Sequence, residues 1–280
     1  NPAADTEFHV SINTTPHEIA ADAWSAMLHG ESLREYYAWT GRYSAELMAA
    51  GALLHIPESL EALGRTALDL RRLASEVIAF QREIPQAEIA LLYSPTSMYT
   101  VPDYPAKLRK SYTALSHQDL PVRFLSERQL VSGRTDRVKL LILAGANRLE
   151  SATAKALAAR GGTILTEPDS RFTDPYGEPL AGFPVKRCKL SAPELDREIA
   201  DLQLQRPVRS NSATRSVELR SVRRDRTLLF YAINYGSSAD FQPLLNGKML
   251  KEATELISGK PVRFPIRLPQ RKTMLFEVKL

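Results

Sequence analysis

The stretch Lys139-Leu140-Leu141-Ile142-Leu143-Ala144-Gly145-Ala146-Asn147 decides how the middle of the chain is read. Leu140 to Ala144 leave no polar face, so a strand here must be covered on both sides, as in a parallel sheet packed between helices. The flanking segments alternate in type. Upstream, residues 88–94 form an apolar strand, 105–118 a helix and 122–125 a strand. Downstream, residues 150–160 form a helix, and Gly161-Gly162 leads into a strand at 163–166. Four strands alternating with helices predict an open, doubly wound sheet.

Moving outward, residues 5–12 read as a short strand closed by Asn13-Thr14-Thr15-Pro16. A helix follows over 17–29, with Thr15 as N-cap, Pro16 at its first position and Gly30 at its end. Ile19, Ala20, Ala23, Trp24, Met27 and Leu28 mark its apolar face, which assigns Trp24 to the core. Residues 33–39 read as a second strand and 59–82 as one long helix. Strand, helix, strand, helix is again a parallel βαβα pattern. The region 167–207 is rich in Pro, Gly and charge, with one helix at 192–203. From residue 216 strand signals dominate, at 217–222, 227–234, 239–244, 262–268 and 273–279. Turns at Tyr235-Gly236, Asn246-Gly247 and Ser258-Gly259 separate them, which predicts a small antiparallel β-sandwich.

Composition sets the outer limits. The 280 residues, 44% hydrophobic and 25% charged, suit two or three globular domains and no long disordered tract. No run of 18 apolar residues exists, so no membrane span is expected, and the compartment stays open between cytoplasm and export. The start at Asn1, without signal-peptide features, predicts a gene product that begins upstream. The net charge of +5 is concentrated between Arg206 and Arg226, a run interrupted by Glu218 and Asp225. With no interleaved aromatic or Gly-rich element, that run reads as a solvated linker and strand edge, and no nucleic-acid partner is expected. Cys188 is the single cysteine and excludes an internal disulfide. The five His residues lack metal-ligand spacing, so neither metal nor cofactor is expected.

Three segments carry a resemblance: Thr6-Glu7-Phe8-His9-Val10, Ala23-Trp24-Ser25-Ala26-Met27-Leu28-His29-Gly30 and Glu35-Tyr36-Tyr37-Ala38-Trp39. Together they resemble the end of the catalytic (β/α)8 barrel in clan A glycoside hydrolases, nearest to the family 42 β-galactosidases. The domain order agrees over essentially the whole chain. The resemblance implies an α/β multidomain protein. Residues 1–84 would be the last two βα units of the barrel, 85–207 a flavodoxin-like, amidotransferase-related domain with its linker, and 208–280 a C-terminal β-sandwich. It further implies a retaining, β-galactosidase-like enzyme with a carbohydrate substrate, forming homo-oligomers through the flavodoxin-like domain.

By that resemblance Glu7 is the candidate nucleophile at the end of the seventh barrel strand. Its chemistry fits: a carboxylate in an otherwise apolar strand is costly unless it is paired or opens on a site. A surface or purely structural Glu is the competing reading. His9 shares a face with Glu7 and orients it or is simply structural. Trp39 is a sugar platform or a core residue, and Arg42 and Tyr43 follow the same strand toward the pocket. Retaining hydrolysis needs two carboxylates about 5 to 5.5 Å apart, and the family's acid/base lies on the fourth strand, which this chain lacks. Two strands cannot close a barrel, so either a missing N-terminal barrel segment on other polypeptide is an implied partner or the barrel remnant is held in a different arrangement, and this portion alone is not expected to hydrolyse a glycoside.

Two further readings stand beside the enzyme. In the amidotransferase-like domain the elbow where a nucleophilic Cys would sit reads Leu143-Ala144-Gly145-Ala146-Asn147, with no Cys, and no His lies beyond His117, so the domain is expected to serve packing or oligomerisation rather than glutamine hydrolysis. The alternative for the whole chain is a non-catalytic oligomerisation or carbohydrate-binding module. A weaker third idea places a small-molecule sensor at the hydroxyl-rich loop Ser94-Pro95-Thr96-Ser97-Met98-Tyr99.

Overall fold

A computed structural model describes residues 15–34, 57–211 and 216–280. The chain divides into two compact units, one formed by the described residues up to Arg82 together with Ser210–Leu280, the other by Glu83–Arg209.

The Glu83–Arg209 unit holds a five-stranded, wholly parallel sheet. Its strands are β1 (Ile89–Tyr93), β2 (Val122–Ser126), β3 (Leu140–Leu143), β4 (Thr163–Thr166) and β5 (Lys186–Arg187). The order β2-β1-β3-β4-β5 reverses direction between β1 and β3, the point at which doubly wound sheets open a crevice. Leu140, Leu141, Ile142 and Leu143 are all fully buried, as an unbroken apolar strand between two helical layers requires. Tyr104 is buried beside β1; its hydroxyl donates to Leu92 O at 2.9 Å and accepts from Ser94 N at 2.9 Å. Burial pushes that phenol up to about 12.

The other unit is built on an antiparallel sheet of order β13-β12-β15-β8-β7. Its members are β7 (Val217–Arg224), β8 (Thr227–Asn234), β12 (Glu252–Glu255), β13 (Lys260–Arg263) and β15 (Thr273–Lys279). Three helices belong to the same unit: α1 (Pro16–Leu28), α2 (Pro57–Arg72) and α3 (Ala74–Glu83). Trp24 and Leu28 of α1, with Leu73, Val77 and Phe80, share one core with Val222, Leu229, Tyr231, Ile233 and Leu275 of the sheet. Helices from the start of the chain thus close one face of a sheet from its end. The opposite face carries aromatic rings, with Phe230 stacked on Phe276 at 4.8 Å and Phe241 and Phe264 packed around them. Phe241 belongs to β9 (Ala239–Phe241), which pairs with β14 (Ile266–Leu268).

Several local expectations change. The helix expected over 59–82 is interrupted at Leu73, which is buried between α2 and α3; its carbonyl accepts from both Glu76 N and Val77 N, a local tightening of the turn. Leu33 and Arg34 are in no strand, and Leu33 is 79% exposed; the remainder of the predicted 33–39 strand lies outside the described residues. Residues 95–100, read as a loop, form the short helix α4 (Pro95–Thr100), because Ser94 Oγ caps Ser97 N at 3.0 Å and Pro95 presets the first turn. A further helix, α6 (Glu127–Val131), follows α5 (Tyr104–Ser116) and β2, started by a Ser126/Gln129 capping box. The 239–244 segment breaks at Gln242 into β9 and β10 (Pro243–Leu245), and 262–268 breaks at Phe264-Pro265, where proline has no N–H to continue a ladder. Asn246 and Gly247 both take positive φ in the tight turn that joins β10 to β11 (Lys248–Met249).

Candidate functional site

The predicted site residues Glu7, His9, Trp39, Arg42 and Tyr43 all lie outside the described residues. The first described residues after that region are Thr15 and the helix α1 that it caps. Its start is fixed by a capping box: Thr15 Oγ1 accepts from Glu18 N at 3.3 Å, and Glu18 Oε2 accepts from Thr15 N at 2.9 Å. The backbone hydrogen bond from Thr15 holds the Glu18 carboxyl below its usual range.

The far end of α1 carries a polar cluster that joins residues 189 apart in sequence. His29 Nε2 lies 2.6 Å from Glu218 Oε1, on β7. The same carboxylate oxygen accepts from the Tyr231 hydroxyl at 2.6 Å and faces Arg220 Nε at 3.3 Å. On the other side of the imidazole, Ser25 Oγ is 3.3 Å from Nδ1 and 2.8 Å from the Tyr235 hydroxyl. A carboxylate at Nε2 keeps the proton on that nitrogen, so in the neutral ring Nδ1 accepts from Ser25. The result is a directed chain from Tyr235 through Ser25 and His29 to Glu218.

Glu218 is fully buried, and burial alone pushes its carboxyl up. The Arg220 guanidinium, with the hydrogen bonds from His29 and Tyr231, outweighs that and holds it at about 2. The sequence reading took both Glu218 and Arg220 as parts of a solvated basic run. The structure corrects this: Arg220 is buried with Glu218, and the Arg206 guanidinium is buried against Asp196 at 2.6 Å. Arg224 meets Glu76 at 3.0 Å, so only part of the run is solvated. The available signal was the alternation of Glu218 and Arg220, two opposite charges on one face of a strand whose other face begins with Val217 and Leu219. Among the described residues, no group of His, Cys, Asp and Glu could hold a metal ion, and no helix is long and apolar enough to cross a membrane.

In the parallel-sheet unit, the crevice between β1 and β3 is filled by the protein's own groups. Ser94 and Ser97, offered by the sequence as sensor hydroxyls, are buried and both donate to Arg148 O, at 3.0 and 2.7 Å. Tyr99 points into solvent instead. Gly145, at the elbow after β3, has φ +68, and its N–H donates to Glu167 Oε2 at 2.9 Å. A Cβ there would meet Lys107 Cδ at 2.9 Å, so the lysine stem lies over the elbow. Burial pushes the Cys188 thiol up, which keeps it protonated.

With this geometry in hand, comparison with solved structures is informative. Over 96% of this chain, the fold matches the crystal structure of an apo exo-carrageenase GH42 from Bacteroides ovatus, with a TM-score of 0.80 and 18% identity. It also matches a catalytic mutant of a GH42 β-galactosidase from G. stearothermophilus over 95% of the chain, with a TM-score of 0.71 and 13% identity. A β-galactosidase from the psychrophilic Marinomonas ef1 matches over 92%, with a TM-score of 0.59 and 13% identity. The likeness is one of fold. The chain spans 39%, 51% and 49% of the lengths of these three structures. No family model and no curated protein matches the chain by sequence. At the coarser level the chain is a mixed α/β protein with one parallel sheet and separate antiparallel sheets, and its fold is like that of part of these GH42 structures.

Proposed function

We propose that this chain is the C-terminal portion of a retaining, β-galactosidase-like glycoside hydrolase. Residues 1–84 supply the last two βα units of the barrel, 85–207 a flavodoxin-like domain and 208–280 the terminal β-domain. The observation that carries the reading is the match along 96% of the chain to a GH42 structure more than twice as long. In this reading Glu7 is the nucleophile, His9 orients it, Trp39 floors the sugar, and Arg42 and Tyr43 line the pocket. The acid/base carboxylate comes from the part of the barrel that precedes this chain. The sheet order β2-β1-β3-β4-β5 supports the flavodoxin-like assignment, and self-association through that domain belongs to the same proposal.

Retention by two carboxylates passes through a covalent glycosyl-enzyme. The test is therefore to treat the protein carrying its N-terminal barrel segment with an activated 2-deoxy-2-fluoro-β-galactoside and map the labelled peptide. Stoichiometric label on Glu7, with activity on aryl β-galactosides reduced at least 1,000-fold by Glu7→Gln, is the expected result. Label on another carboxylate, or full activity in Glu7→Gln, would overturn the assignment. Absence of both hydrolysis and label would leave the non-catalytic module as the correct reading.

A further inference from the structure

The Glu83–Arg209 unit carries a groove of about 400 Å³ beside the helix α7 (Ser151–Ala159). Its apolar lining comes from Ala154 and Ala158 on α7 and from Pro179 and Leu180 facing them. Ser151, Lys155 and Asp174 add three polar groups to the wall. The fold leaves these groups available. Among the described residues the Ser151 hydroxyl and the Lys155 ammonium have no intramolecular partner, and Asp174 uses only Oδ1. Small-ligand sites have this character, with volumes of about 300 to 1,000 Å³, mostly apolar walls and a few polar groups that fix orientation.

The wall opposite α7 is preset. Asp174 N donates to Glu178 O at 2.8 Å and Gly177 N to Asp174 O at 3.1 Å, while Asp174 Oδ1 accepts from Tyr176 N and Glu178 N, both at 2.9 Å. At the base of this loop Thr173 N donates to Asn147 O and Leu149 N to Thr173 O, which ties it to the residues leading into α7. Phe172 and Phe183 pack beneath it, ring centroids 4.8 Å apart. A ligand entering the groove would not have to order its walls. At the apex of the same loop, Tyr176 is 92% exposed on a backbone held by these bonds.

We infer that this groove, with Tyr176 on the loop that supplies Asp174 to its wall, is a secondary binding site for a short neutral oligosaccharide. Lys155 and Asp174 offset each other in charge, Ser151 and Lys155 can donate and the second Asp174 oxygen can accept, so a neutral ligand with both donors and acceptors is complementary. A pyranose is such a molecule: its C–H face matches the alanine and leucine lining, and its hydroxyls match Ser151, Lys155 and Asp174. The choice of a glycan over other polyols rests on the carbohydrate reading above.

The site is tested by a probe placed at Tyr176. The full-length protein carrying Glu7→Gln is labelled with 3-fluorotyrosine, and the resonance lost in Tyr176→Phe identifies Tyr176. Titration with β-1,4-galactotetraose, and with cellotetraose as a second neutral chain, should move that resonance saturably. Ala158→Arg, which fills the groove from an exposed helix position, should raise the sugar concentration needed at least tenfold, while Ala158→Ser leaves it within twofold. A Tyr176 resonance that neither sugar moves, or an Ala158→Arg titration identical to the parent, overturns the inference. So does light scattering in which Ala158→Arg splits an oligomer, because the groove is then an interface between copies. The readout needs no hydrolysis, so failure of the Glu7 assignment and failure of this site give different results.

Discussion

Replacing Glu218 by Gln should destabilise the α1–sheet unit strongly, and by an amount that depends on pH. The carboxylate is fully buried, lies 2.6 Å from both His29 Nε2 and the Tyr231 hydroxyl, and is ion-paired with Arg220, whose Nε is 3.3 Å away. Its carboxyl is held at about 2 against an ordinary 4.5. That difference corresponds to on the order of 3 kcal/mol of stability, present in full above pH 4.5 and lost as pH falls through 2. Gln keeps the size but leaves Arg220 buried beside a neutral group, and removing one partner of a buried ion pair costs about 3 to 5 kcal/mol. Trp24 is buried in the core of this unit, so its emission reports on the unit in a urea titration. At pH 7 the variant should be less stable by about 3 kcal/mol. At pH 2.5 the gap should shrink markedly, because the parent has lost most of what its ionised Glu218 contributes. A gap under about 1 kcal/mol at pH 7, or one of equal size at both pH values, would refute the reasoning.

Two other substitutions test the parallel-sheet unit. Gly145→Ala adds a Cβ at φ +68 and presses it onto Lys107, so thermal melting should show a loss of about 1 to 3 kcal/mol; an unchanged melting temperature would mean that Lys107 yields freely. Glu127→Ala removes the acceptor that takes Thr153 Oγ1 at 2.5 Å and Glu150 N at 3.3 Å, in effect the N-terminal cap of α7. A loss of about 1 kcal/mol is expected, with faster amide exchange over the first turn of that helix as the local check.

The legible parts of the fold were those with a strong local period. Leu140–Leu143, Ile89–Tyr93 and Thr163–Thr166 stand almost as read, because a strand buried on both faces leaves an unbroken apolar run. The α1 cap was legible from Thr15-Pro16 and the hairpin turn from Asn246-Gly247, where the backbone conformation selects the residue types directly. Short elements without a strong local period were not. β5 lies in a Pro- and Gly-rich stretch, and α4 and α6 are too short to show a helical period. The catalytic candidates around Glu7 rest on a family resemblance, since one carboxylate in one strand carries no spacing of its own.

By itself the sequence determined the alternation that makes a parallel sheet in the middle of the chain and antiparallel strands at its end. It also determined that Trp24 belongs in a core. The tertiary structure alone decided which core: Trp24 packs under a sheet whose strands begin nearly two hundred residues later. It alone turned Glu218 and Arg220 from surface charges into a buried pair, and gave His29 a partner. Local sequence encodes which side a residue presents, through periods of 2 and 3.6. Whether that side meets water or another element depends on contacts between distant segments, and for a charged residue that difference reverses its role.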